Sequence, residues 1–245
     1  MKLQALFAAL CAAVSIGLCG SADAQQAENY VFSISWEPAF CDSHSSKPEC
    51  QAENSASFAA SNFALHGLWA QGGEYCGVSS ADRSADSRSQ WYRLPPVVLS
   101  DDLQSALSVQ MPGVASYLDR HEWTKHGTCS GLSQQDFFTD ALGFLGNING
   151  ANLRSFVAAN VGNTVQLSDL TQAVTNDFGA AGSQGVEFLC SSSTGQQMLT
   201  EIRLHLALPN PIPQSLDPSY LVTPTQPTSS SQLCSDSGVY IEIAN

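Results

Sequence analysis

Residues 30–36 read YVFSISW, and the way that run is laid out decides the fold. Tyr30, Phe32, Ile34 and Trp36 fall on one side, and Ser33 and Ser35 on the other. A period of two with one apolar side is the mark of a half-buried strand. The same period returns late in the chain. In LTEIRLHLAL (199–208), Ile202, Leu204, Leu206 and Leu208 face a core, while Glu201, Arg203 and His205 face out. GVEFLCS (185–191) and VYIEI (239–243) read as further strands, and FALHGLW (63–69) as a short strand ending at Gly67. Between these blocks the pattern turns helical. Asp101 or Asp102 is placed to cap a helix through LQSALSVQM, interrupted at Pro112-Gly113. A second helix is expected over 115–126, stopped by Gly127, and two more over 134–148 and 168–178, the last capped by Ser168. Residues 37–62 read as a loop, 71–101 as irregular, and 209–232 as a Pro/Ser-rich loop. Strands toward both ends and helices in the middle predict an α+β fold: a mainly antiparallel central sheet with helices packed around it.

The chain opens with Met1-Lys2, an apolar run, and the A-x-A pattern Ala22-Asp23-Ala24. This predicts a secretory signal peptide over 1–24, removed after Ala24, and a single mature domain over 25–245. Gly17, Gly20 and the cleavage pattern cut the apolar run short of the ~20 residues a membrane span needs. The mature chain is therefore expected to be free of the membrane, and either secreted or periplasmic. Six cysteines remain after the signal: Cys41, Cys50, Cys76, Cys129, Cys190 and Cys234. An even set in an exported chain without a C-x-x-C pair predicts three disulfides rather than a zinc site. About fifteen pairings are possible on paper, and proximity favours Cys41–Cys50. The formal net charge of −13 argues against a broad basic footprint for nucleic acid. Any contact with RNA or DNA has to come from a local site set in a repulsive background.

Such a site is suggested by HEWTKHGTCS (121–130), which holds two of the chain's five histidines. At about 100° per residue on a helix, His121, Lys125, Glu122 and His126 share one face. Trp123 and Thr124 fall on the other side, where the tryptophan can anchor the helix. The histidines stand five apart, not the four of a zinc-binding helix, so no metal is expected. Two imidazoles, a cation and a carboxylate suit phosphoryl transfer at a phosphodiester, which needs a base, an acid and charge neutralisation. Histidine fills both proton roles because its pKa lies near working pH. Base and acid flank opposite sides of phosphorus, so the second proton-transfer histidine should come from another segment. FALHGLWAQ (63–71) offers His66, with Gly67 for close backbone approach and Trp69 as a face for base stacking. His44, in the first cysteine loop, and His205, on an outward strand face, read as structural.

FALHGLWAQ (63–71) followed by HEWTKHGTC (121–129) resembles the two active-site segments of the ribonuclease T2 family. YVFSISWEPAFC (30–41) is similar to that family's opening strand and first cysteine. The resemblance implies an α+β, extracytoplasmic endoribonuclease that needs no metal or other cofactor and leaves 2′,3′-cyclic phosphate ends. It implies His126 as general base on the ribose 2′-OH and His66 as general acid for the 5′-oxygen. His121 would hold the phosphate, Glu122 and Lys125 would stabilise the pentacovalent state, and Trp69 would stack a base. It also implies the pairings Cys76–Cys129 and Cys190–Cys234; the second would staple the base of the 209–232 loop by roughly 3–4 kcal/mol. Ala70 stands where the family usually has proline. Gln71 stands where some members carry an acid that helps select the base, which makes Gln71 a second substrate-binding candidate and leaves base preference open. RNA is the expected substrate and DNA is not, because DNA lacks the 2′-OH nucleophile. A monomer is expected. The other reading is a secreted protein of this type that acts by surface binding and dispenses with catalysis.

Overall fold

The computed structural model describes residues 28–193 and 195–244; the expected signal segment over 1–24 lies outside the described residues. Strand β1 (Asn29–Ser35) leads into helices α1 (Glu37–Ser43) and α2 (Pro48–Ala52). Then follow β2 (Ala64–Ala70), α3 (Ser80–Ser87), α4 (Asp101–Gln110), α5 (Leu118–Lys125), α6 (Gln134–Asn149) and α7 (Asn152–Ala159). The chain ends with β3 (Thr164–Val165), α8 (Leu167–Gly182), β4 (Val186–Ser193), β5 (Gln196–Ala207) and β6 (Val239–Tyr240). The architecture is α+β, with one mixed but mostly antiparallel sheet, as the strand pattern requires. Its order is β2-β1-β5-β6-β3, with β4 also on β5, and its one parallel contact is Met198 opposite Tyr240. Among the described residues no helix is long and apolar enough to cross a membrane.

The alternation of β1 settles which side of the sheet is core. Tyr30, Phe32 and Ile34 are buried there with Leu65 and Leu68 of β2 and Ile202, Leu204 and Leu206 of β5. Helix α6 closes this face with Phe137, Phe138, Phe144 and Ile148, and Phe144 meets Phe32 edge-on at 5.7 Å. The Ser133 hydroxyl caps α6 by accepting from the Asp136 amide. The opposite side of the sheet carries Ser33 and Ser35 of β1 beside Arg203 and Glu201 of β5. That polar side is where the site forms.

Strand β2 runs on past Gly67 to Ala70, because a bulge lets it. In register with β1, Ser33 pairs with Gly67 and Ile34 with Leu65, so His66 is the extra residue without a partner. A bulge re-aims a side chain while the strand continues. The bulge keeps both Leu65 and Leu68 in the core, three residues apart, and turns His66 out of the regular pleat.

Several boundaries differ from the sequence expectation. Residues 37–62 hold two short helices, each with proline in its first turn, where the missing N–H is harmless. Residues 71–101 hold α3, whose cap is the Ser79 hydroxyl accepting from Asp82. Ser100, not Asp101 or Asp102, caps α4. The helix expected over 115–126 is split: a 3₁₀ turn over Pro112–Ser116 ends at Tyr117 in left-handed conformation (φ 66°), and α5 starts after it. Helix α8 begins at Leu167 behind Gln166, so Ser168 lies inside it. Helix α7 and the two-residue β3 were not foreseen, and β6 is shorter than VYIEI.

Three disulfides are present: Cys41–Cys50, Cys76–Cys129 and Cys190–Cys234. The second ties the loop after β2 to the turn that follows α5, so it joins the two histidine-bearing segments.

Candidate active site

Helix α5 lies against the polar side of β2, and the contact is close because Gly67 has no side chain. A Cβ there would overlap the Glu122 carboxyl and come within 2.6 Å of Trp69 Nε1. The Glu122 carboxyl, 1% exposed, therefore reaches the centre of the site. Its Oε2 accepts a 2.8 Å hydrogen bond from Trp69 Nε1. Its Oε1 lies 3.7 Å from His66 Nε2 and 3.9 Å from His121 Nε2, with no hydrogen-bond partner among the described residues. On the other side of α5, Trp123 packs edge-on against Phe137, which anchors the helix in the core.

Trp69 organises the two proton-transfer candidates. Its ring lies 5.2 Å from His66 and 5.4 Å from His126, centroid to centroid. His121 is 6.3 Å from His126 and stacks on Trp91 at 4.5 Å. His66, His121, Glu122, Lys125 and His126 thus stand around one place, although they come from segments some sixty positions apart. Lys125 Nζ reaches Glu74 at 3.4 Å on the rim. Gln71 is exposed, and its side-chain amide donates to the Trp69 carbonyl. Trp69, Gln71, Gly73, Lys125 and His126 line a cavity of about 510 Å³ on this side. A second cavity, about 450 Å³, is lined by His66 together with Ser35, Glu37, Trp91, Leu118 and Glu201.

The histidines are held in opposite states. Burial drives the His126 pKa down to about 3, and the neighbouring positive charges of Lys125, His121 and His66 act the same way. Its Nδ1 is buried and free of hydrogen bonds among the described residues. Burial also disfavours charge on His66, but the carboxylates of Glu201 and Glu122 outweigh it and hold its pKa above the ordinary value. Burial pushes Glu122 up, against the pull of His66, His121 and Trp69.

The sequence reading missed the residues behind this set. His121 Nδ1 donates to Asp86 of α3 at 2.7 Å, and Asp86 also accepts from the Tyr75 hydroxyl at 2.7 Å. Burial and the bond to Asp86 raise Tyr75 to about 12. On β5, Glu201 accepts from Ser33 and Arg203, and the Arg203 guanidinium lies 5.0 Å over the Trp69 ring. Arg203 continues to Thr228, whose hydroxyl and amide both bond Glu187, and Glu187 accepts from His205 at 2.9 Å. His205 thus has a structural partner away from the histidine cluster. His44 is exposed and stacks on Phe40. Among the described residues, the one grouping of His, Cys, Asp or Glu tight enough to meet a single ion is Glu37, Cys41 and Cys50, and its two sulfurs are joined in a disulfide.

Known proteins resemble this chain in sequence and in fold. The ribonuclease T2 family model matches residues 27–219. Ribonuclease I of Escherichia coli (strain K12) is 27% identical over 207 residues, which cover 73% of this chain and 75% of that protein. A ribonuclease of Aeromonas hydrophila is 34% identical over 117 residues, covering 47% of this chain and 43% of that protein. In fold, the chain is similar to RNase NT, solved in complex with 5′-AMP: the TM-score is 0.57 at 19% identity, over 89% of this chain and 100% of that one. With the family model spanning both histidine segments and strands β1 to β5, the chain belongs to the ribonuclease T2 family.

Proposed function

We propose that this protein is an endoribonuclease that cleaves RNA by attack of a ribose 2′-OH on the adjacent phosphorus. His126, neutral at working pH, takes the 2′-OH proton as the new O2′–P bond forms. The P–O5′ bond breaks, and His66, charged, gives its proton to the departing 5′-oxygen. The products are a 2′,3′-cyclic phosphate and a free 5′-OH. His121, held by Asp86, and Lys125, with its ammonium charge, are placed to bind the phosphate. Glu122, whose Oε1 lies between His66 and His121 without a hydrogen-bond partner among the described residues, is placed to steady the phosphorane together with them. The reaction uses no metal in this reading, because every proton and charge it requires has a side chain. Trp69 and Gln71 border the cavity that takes the base on the 5′ side. DNA has no 2′-OH, so it can occupy the groove without reacting.

The observation that carries this reading is the pair of imidazoles beside one indole with their protonation pushed in opposite directions, the pattern of an acid–base pair. Incubation with single-stranded RNA should yield cyclic phosphate ends, and EDTA should leave the rate unchanged. His66→Ala and His126→Ala should each lower the rate at least about a hundredfold with the fold intact. Near-wild-type cleavage by either variant would sink the role assignment. The pH profile should be bell-shaped: activity falls at low pH as His126 gains a proton near 3, and at high pH as His66 loses its own above the ordinary histidine range. We also propose that residues 1–24 direct export and that the mature domain begins at Gln25; N-terminal sequencing of exported protein tests this.

A further inference from the structure

Strand β5 brings a carboxylate to the site from outside both histidine segments. Glu201 lies on the polar side of β5, opposite Ser35 of β1. Its Oε2 is 3.5 Å from His66 Nδ1, while its Oε1 accepts from Ser33 Oγ at 2.7 Å and from Arg203 Nε at 2.6 Å. Groups from β1, β2 and β5 therefore converge on one carboxylate whose side chain is 15% exposed. Burial alone would raise an acid in that position; the bonds to His66, Arg203 and Ser33 outweigh it and hold Glu201 down to about 2. Glu201 is accordingly a fixed negative charge. A carboxylate on one ring nitrogen of histidine selects the tautomer and turns the other nitrogen to its task. Here Nδ1 faces Glu201 and Nε2 faces Glu122 and the site centre.

We propose that Glu201 is the positioning residue of His66: it fixes the ring so that Nε2 points at the departing 5′-oxygen, and it keeps the ring charged until the proton is given up. This rests on the assignment of His66 as the general acid. The charged and titratable groups around His66 are Glu201 and Arg203 from β5, Glu122 and His126 from α5 and its C-terminal end, and Glu37 from α1. Of the three carboxylates, burial shifts Glu122 and Glu37 toward the neutral form, which leaves Glu201 as the steady counter-charge.

The test compares Glu201→Gln and Glu201→Asp with wild type on two substrates. One is an RNA dinucleotide. The other is a nucleoside 3′-(4-nitrophenyl phosphate), whose leaving group departs without a proton. Glu201→Gln keeps the size and the acceptor for Ser33 but removes the charge. It should lower kcat on the dinucleotide by roughly 10–100-fold, part of what a proton-transfer residue supplies, with KM little changed. On the nitrophenyl ester it should approach wild type. Its alkaline limb should move down by about one pH unit or more, and should do so again in a Glu37→Gln background. Glu201→Asp, which keeps the charge, should hold the limb in place; if Glu201→Gln fails to fold, the substrate ratio in Glu201→Asp decides. Equal losses on both substrates with an unmoved limb would reduce Glu201 to a brace between strands and overturn the proposal. NMR titration of the His66 ring reads the same shift without catalysis. A shifted ring in Glu201→Gln, together with full activity in His66→Ala, would refute the acid assignment and leave the Glu201–His66 coupling standing.

Discussion

Gly67 sets the tightest tolerance in the site. Gly67→Ala places a methyl group where the Glu122 carboxyl now sits. The helix or the carboxylate has to move, and a shift near 1 Å at reacting groups costs roughly a hundredfold in rate. RNA cleavage by Gly67→Ala should fall by about that factor, with a drop in stability of roughly 1–3 kcal/mol by urea unfolding. His66, Trp69 and the HEWTKH cluster were legible because rare side chains with obvious chemistry crowd into two short stretches. Glu201 and Ser33 were half legible: alternation put both on the polar side of their strands, but not that this side is the site. Asp86 carried no signal. In SADRSADSRSQ (80–90) it looks like Asp82, and only the contacts to His121 and Tyr75 tell them apart. Asp86→Asn should therefore impair cleavage while Asp82→Asn leaves it near wild type; equal effects in a turnover assay would remove Asp86 from the set of supporting residues.

At the scale of elements, α5 is a helix that does not stand by itself. It has eight residues, and Tyr117 at its start provides no side-chain cap. Isolated helices shorter than about 12 residues are marginal in water. Its support comes from Trp123 in the core and from Cys129, which the Cys76 bridge ties to the loop after β2. Loop entropy gives that bridge, with a sequence separation of 53, about 4 kcal/mol, against about 3 kcal/mol for Cys41–Cys50 with a separation of 9. Replacing both cysteines of Cys76–Cys129 by alanine should lower Tm more than the same change at Cys41–Cys50, and should also lose more activity per degree of Tm. Elements with a long apolar period, such as β1, β5 and α6, could be read from the sequence. Helix α3 could not, since SADRSADS has no large apolar side chain and forms through its Ser79 cap and its neighbours. The bulge in β2 was hidden for a related reason: it appears only when β1 supplies the register.

For the whole molecule, buried titratable groups pull stability in two directions. Burial, then repulsion from Glu49 and Glu53, raises Glu37 to about 7. Glu37 lends stability that is complete below its unfolded value of 4.5 and is lost as pH rises through about 7. The amount is at most about 3 kcal/mol. Burial raises Glu53 and Asp140 to about 6, and both act in the same sense. His126, lowered to about 3, does the reverse: its contribution is complete above 6.5 and is lost as pH falls. Urea midpoints at about pH 5 and about pH 7.5 should separate the two sets. Relative to wild type, Glu37→Gln should gain more at the higher pH, and His126→Ala should fare better at the lower one. The net charge of −13, read directly from the composition, has its own consequence. It repels RNA at long range, so added salt should first speed association, unlike the usual loss of affinity for a basic binder. The last consequence concerns Thr228, which grips both Glu187 and Arg203 and so moors the Pro/Ser-rich stretch to the strand that holds Glu201. Lengthening or trimming residues 209–227 should loosen or tighten that mooring and, through Arg203 and Glu201, shift the ring of His66. In a deletion series over this stretch, cleavage should change before the melting temperature does.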